Sequence, residues 1–96
     1  MVAIEQTYEQ IRQLASDEGA ERVILFGSRA RKTNSPKSDI DLAVEGCPSF
    51  DRFKDRIETE LWTLLNVDVV NLDESVSSEL LQEITRDGEV LYEKVR

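Results

Sequence analysis

Three short apolar runs constrain the fold most: RVILF at 22–26, DIDLAV at 39–44 and VDVV at 67–70. Each is too short for a stable helix and is rich in residues that favour strands. Segments of helical spacing alternate with them. Ile4, Tyr8, Ile11 and Ala15, with Leu14 alongside, predict a first amphipathic helix ending near Gly19. A short helical turn opens at Ser28 after the break at Gly27, and Thr33-Asn34-Ser35-Pro36 is turn chemistry. Phe50, Phe53, Ile57, Leu61 and Leu64 recur at i, i+3, i+7, i+11 and i+14, which predicts a helix closed by Asn66. Ser49 is placed to cap it, with Asp51 in its first turn, where the dipole favours an acid. Val76, Leu80, Leu81 and Ile84 predict a last helix closed by Gly88, and Glu89 to Tyr92 reads as a final strand or packed tail. Alternating helices and strands predict an α/β (α+β) class: one mixed β-sheet flanked by helices, in a single domain over residues 1–96. The strand order is not readable from the sequence.

Composition removes whole classes of chemistry. There is no histidine and one cysteine, Cys47. His-based triads, His-ligated zinc and internal disulfides are therefore excluded, leaving oxygen-ligated metals, chiefly Mg or Mn. The formal net charge is -8, whereas a duplex-binding module carries a basic face. No direct nucleic-acid contact is expected, and a basic protein partner suits the surface better. No run approaches the roughly 20 apolar residues of a membrane span, and MVAIEQTYEQ lacks a signal pattern. The expected location is cytoplasmic, with no membrane contact.

The second run raises the chemical question. Residues at i and i+2 of a strand share a face. Asp39 and Asp41 therefore stand side by side, with Ile40 and Leu42 turned to the core. At about 5 to 7 Å two carboxylates repel by a few kcal/mol, for an effective dielectric of about 20. A fold gains nothing from that unless a cation lies between them, and Mg fits carboxylates and substrate phosphates best. A D-x-D pair alone is also what an edge strand uses against aggregation. Asp68 shifts the balance, because it is a third acid inside an apolar strand, flanked by valines. Three acids and two divalent ions suit in-line transfer to phosphorus, with an acid to take the proton of the attacking hydroxyl. Gly27-Ser28 adds free backbone N–H groups and a hydroxyl for phosphate. Arg29, Arg31 and Lys32 add positive charge, though each reads equally as a solvated cation.

The run GSRARKTNSPKSDIDLAV followed by VDVV resembles the nucleotidyltransferase superfamily that includes DNA polymerase β. It is most similar to the minimal nucleotidyltransferases, small proteins usually paired with a HEPN protein as antitoxin and toxin. The shared pattern is Gly-Ser, a short basic helix, a loop, Asp-x-Asp, then a later Asp, over residues 23 to 70. The resemblance implies that Gly27 and Ser28 hold nucleotide phosphates, and the charges of Arg29 and Arg31 are expected to add to that nucleotide-binding set. It implies that Asp39, Asp41 and Asp68 ligate two Mg2+ ions, Asp68 also activating the acceptor. Many members carry Gly where this chain has Lys32, so the helix end and loop path are where it departs from the pattern.

The leading expectation is an Mg-dependent nucleotidyltransferase that moves AMP from ATP onto a hydroxyl. The family implies a tyrosine of a HEPN toxin as acceptor, and larger members add a second domain to grip theirs. Two other readings stand beside it. One is an antitoxin that acts by direct binding with little or no transfer; the other is a subunit of an antibiotic-type nucleotidyltransferase. Trp62 lies off the apolar stripe of its expected helix and reads as a partner contact or as a rim-packed side chain.

Overall fold

The structure, a computed structural model, describes residues 3–95; residues 1, 2 and 96 of the expected domain lie outside the described residues. The elements are α1 (Ile4–Asp17), β1 (Arg22–Phe26), α2 (Ser28–Arg31), β2 (Ile40–Glu45), α3 (Phe50–Glu60), β3 (Val67–Asn71), α4 (Ser78–Asp87) and β4 (Glu89–Glu93). They form one four-stranded mixed sheet in the order β3-β2-β1-β4. β1 runs antiparallel to β2 and β4, and β2 runs parallel to β3.

Strand alternation gives the sheet two apolar faces of unequal extent. On one, Val23, Leu25, Ile40, Leu42 and Val44 pack with Ile11, Leu14 and Ala15 of α1 and Phe53 and Ile57 of α3. This is the main core. On the other, Phe26 and Ala43 pack with Ile84 of α4, supported by Ile24, Val70 and Leu80. Asp41 lies two residues before Ala43, and Asp68 two before Val70, so α4 covers one end of this face and the acids occupy the other.

Several element limits differ from the sequence expectation. α3 ends at Glu60, and Leu61 is already extended, with φ -73° and ψ 129°. Leu61 and Leu65 do pack on the main core, but from irregular chain, while Leu64 is fully exposed. The Trp62 N–H donates to Gln10 Oε1 at 3.0 Å, tying this segment to α1. β2 begins at Ile40, so Asp39 stands just outside the strand. Val76 precedes α4, whose N-cap is Ser77: its hydroxyl accepts the Leu80 N–H at 3.2 Å. Ser49 occupies the N-cap of α3 but makes no side-chain cap bond. The tail after Gly88 is a true strand, paired with β1. Among the described residues, no helix is long and apolar enough to cross a membrane.

Candidate active site

The antiparallel register pairs Phe26 with Asp41. The chain therefore leaves β1 at Gly27, beside the Asp41 carboxylate. Gly27 has φ 74° and ψ -158°, a conformation essentially closed to residues with a side chain. Space gives a second reason for glycine: a Cβ there would overlap Asp41 Oδ2 and lie 3.1 Å from Asp41 Cγ. The Gly27 carbonyl accepts the N–H groups of Ala30 and Arg31, each at 3.1 Å, which closes α2 and places Ser28 at its head.

The parallel register pairs Asp41 with Asp68, so their side chains are neighbours on the face that α4 leaves open. Asp39 and Asp68 are exposed, and Asp41 is half-buried. The Asp41 carboxyl is held above the usual carboxylate range by burial first, then by the charges of Asp68, Asp39 and Glu83, and by a hydrogen bond with Asp68. Every one of these influences disfavours its charged form. A cleft of about 340 Å³ opens between Asp39, Asp68 and the 61–66 segment, floored by Ile57, Leu61 and Val67. From Leu61 to Asp68 half-buried and exposed residues alternate, so Trp62 and Leu64 turn outward while Leu61, Thr63 and Leu65 turn in.

The three expected phosphate-side cations have separate partners. Arg29 is only 7% exposed. Its Nε donates to the Ser38 carbonyl at 3.1 Å, and Nη2 donates to Ser38 O at 3.0 Å and Pro36 O at 3.2 Å. Arg31 pairs with Glu83 at 3.0 Å and with Asp87 at 3.8 Å, joining α2 to α4. Lys32 pairs loosely with Glu89 at 3.4 Å. Its backbone is left-handed, with φ 64° and ψ 29°, the conformation a glycine adopts freely. Lys32 closes α2 in this left-handed conformation, its N–H donating to the Ser28 carbonyl.

Sequence reasoning did not single out Glu83. It reaches the site only because α4 packs over the second face of the sheet, and its own neighbours in the chain carry no signal of that. Among the described residues, no three His, Cys, Asp or Glu side chains are already arranged to hold a metal ion. The chemistry of the donors still suits a hard divalent cation: carboxylate oxygens on one sheet end, with the like charges of Asp68, Asp39 and Glu83 acting on Asp41.

Comparison with known proteins bears on the family and the fold. The family model described as "Polymerase beta, Nucleotidyltransferase" matches residues 9–96. Comparison with curated proteins returned no match. Among solved structures, a toxin–antitoxin complex with AMP-PNP contains a chain 27% identical, with TM-score 0.67, covering 91% of this chain and 73% of that one. A candidate minimal nucleotidyltransferase is 27% identical, with TM-score 0.67 and 90% of each chain covered. A complex of the tri-AMPylated Shewanella oneidensis HEPN toxin with its MNT antitoxin shares the fold, at 22% identity and TM-score 0.61, covering 94% of this chain and 72% of that one. With nearly the whole chain matched by the family model, the protein belongs to the polymerase β nucleotidyltransferase family.

Proposed function

We propose that this chain, acting as one domain in the cytoplasm, transfers AMP from ATP to a tyrosine hydroxyl of a HEPN-family toxin, and so serves as its antitoxin. The observation that carries the reading is the pairing of Asp41 with Asp68 beside Gly27. It puts two carboxylates at the turn where Gly27 leads into the head of α2. The solved complex of a tri-AMPylated HEPN toxin with its MNT antitoxin, and the toxin–antitoxin complex with AMP-PNP, support the choice of a HEPN-family acceptor.

Asp39, Asp41 and Asp68 would hold Mg2+, which when bound supplies charge neutralisation at the triphosphate and its leaving group. Gly27 keeps the phosphate path clear of a side chain. Ser28 offers its hydroxyl and the N–H at the head of α2 to phosphate oxygens. Arg31 can add to that set by exchanging Glu83 for phosphate. The acceptor oxygen bonds to the α-phosphorus, the bond from that phosphorus to the bridging oxygen breaks, and pyrophosphate leaves. Asp68, exposed at the cleft, is placed to take the hydroxyl proton at its carboxylate.

The test is intact-mass spectrometry of a purified HEPN-family partner incubated with this protein, ATP and Mg2+. A mass gain of whole AMP units, lost with Asp39→Asn/Asp41→Asn, is the expected result. An unmodified partner that the same double variant still neutralises would show an antitoxin acting by contact alone.

A further inference from the structure

We propose that Arg29 is a positioning residue for Asp39, not a phosphate ligand. Asp39 precedes β2 and so lacks the ladder bonds that aim Asp41 and Asp68. Its two flanking residues are pinned instead. On one side the Ser38 carbonyl accepts from Arg29 Nε and Nη2 at 3.1 and 3.0 Å. On the other the Ile40 N–H donates to the Asn66 carbonyl at 2.9 Å, tying it to the entry of β3.

A carbonyl held by two donors fixes the plane of the Ser38–Asp39 peptide, and with it the direction in which Asp39 leaves its backbone. The second Nη2 bond, to Pro36 O at 3.2 Å, holds the same turn one step earlier. The guanidinium is buried, with only 7% of the residue exposed, and two of its nitrogens are already occupied. It therefore sits under the loop and is not open to a triphosphate. Only Arg has the planar fork that reaches both carbonyls; a lysine keeps the charge and loses the geometry. Groups that orient a metal ligand from behind change metal affinity by about 10- to 100-fold when removed.

The inference rests on the nucleotidyltransferase reading in requiring a divalent cation at Asp39. The test is Mn2+ binding, followed by electron paramagnetic resonance in the presence of AMP-PNP, to the full chain and to Arg29→Lys, Asp39→Asn and the double variant. Arg29→Lys should weaken Mn2+ binding about tenfold or more and speed tryptic cleavage after Lys37. In the Asp39→Asn background the same change should cost no further Mn2+ affinity. Unchanged Mn2+ binding in Arg29→Lys overturns the inference. A loss of equal size in both backgrounds also overturns it, because that is the behaviour of an independent phosphate ligand or of a general weakening of the fold. A second measurement needs no Arg29 variant: Mn2+ with AMP-PNP should slow cleavage after Lys37 in the wild type and not in Asp39→Asn, and equal cleavage with and without Mn2+ in the wild type overturns it. A wild type that takes up no Mn2+ refutes the metal-dependent transfer reading itself, and the inference with it.

Discussion

Neutralising Asp41 or Asp68 should stabilise the metal-free protein. The two residues are direct partners on parallel strands, which run about 4.8 Å apart. Two unit charges at about 5 Å repel by about 3 kcal/mol at an effective dielectric of 20, and by about 0.8 kcal/mol in bulk water. Asp41 is half-buried and Asp68 exposed, so the pair lies between these limits, at about 1–2 kcal/mol. Asp41→Asn and Asp68→Asn each remove the same repulsion. Asp41→Asn also removes the cost of burying its charge, so the double variant should gain about as much as Asp41→Asn alone, leaving a coupling energy of about 1–2 kcal/mol. In a domain of this size each kcal/mol moves the melting temperature by about 4–8 °C.

The assay is urea unfolding at pH 7 in EDTA and low salt, with m-values compared to confirm that the unfolded state is unchanged. The pH dependence gives an internal check. Asp41's carboxyl is raised in the folded state above its ordinary 3.8. At neutral pH the folded protein carries the full charge penalty. As pH falls through the raised value toward 3.8 the folded state takes up the proton first. Wild type should then gain on Asp41→Asn across that window. A stability loss in both single variants, or gains that simply add, would refute the repulsion argument and make these acids structural hydrogen-bond acceptors.

Gly27→Ala should destabilise by about 2 kcal/mol or more, from the backbone conformation and the overlap with Asp41; urea midpoints would show it. Lys32→Gly should stabilise by about 1 kcal/mol, because the residue is left-handed at φ 64° and its exposed pair with Glu89 contributes little. A thermal melt decides the sign. Ser77→Ala should cost about 1 kcal/mol through the lost cap on Leu80, read by the same melt. ATP should bind only with a divalent cation present, so calorimetric titration in EDTA should show no heat of binding while Mg-ATP shows saturation.

The strands were legible because strand burial writes a period of two into the sequence. Asp39, Asp41 and Asp68 interrupt apolar runs, and that same period predicted a shared face for Asp39 and Asp41; that Asp68 lies beside Asp41 follows from the parallel pairing of β2 with β3, which no local pattern records. The end of α3 was not legible, for a physical reason. Apolar spacing records which residues reach the core, not the backbone that carries them there. Leu61 continues the helical stripe of Phe53 and Ile57 and does pack on the core, but from extended chain, and Leu64 continues the spacing while pointing into water. The start of α4 carried its own signal, Ser77 with Glu79 in the first turn, which the apolar Val76 obscured.

The basic segment 29–32 shows how far composition reaches at a site. Its charges are as local as the sequence suggests, yet they divide among three partners: loop carbonyls for Arg29, the α4 acids for Arg31, Glu89 for Lys32. Direction comes from burial and from the elements packed alongside, and neither is written in the segment itself. The consequence is electrostatic. Each expected phosphate cation is already matched, whereas the charges that act on Asp41, those of Asp68, Asp39 and Glu83, are all negative. A bare triphosphate approaching Gly27 and Ser28, as proposed, would thus meet a surplus of like charge. A divalent cation held by these carboxylates would relieve the repulsion at Asp41 and would couple the stability of the site to the arrival of the nucleotide.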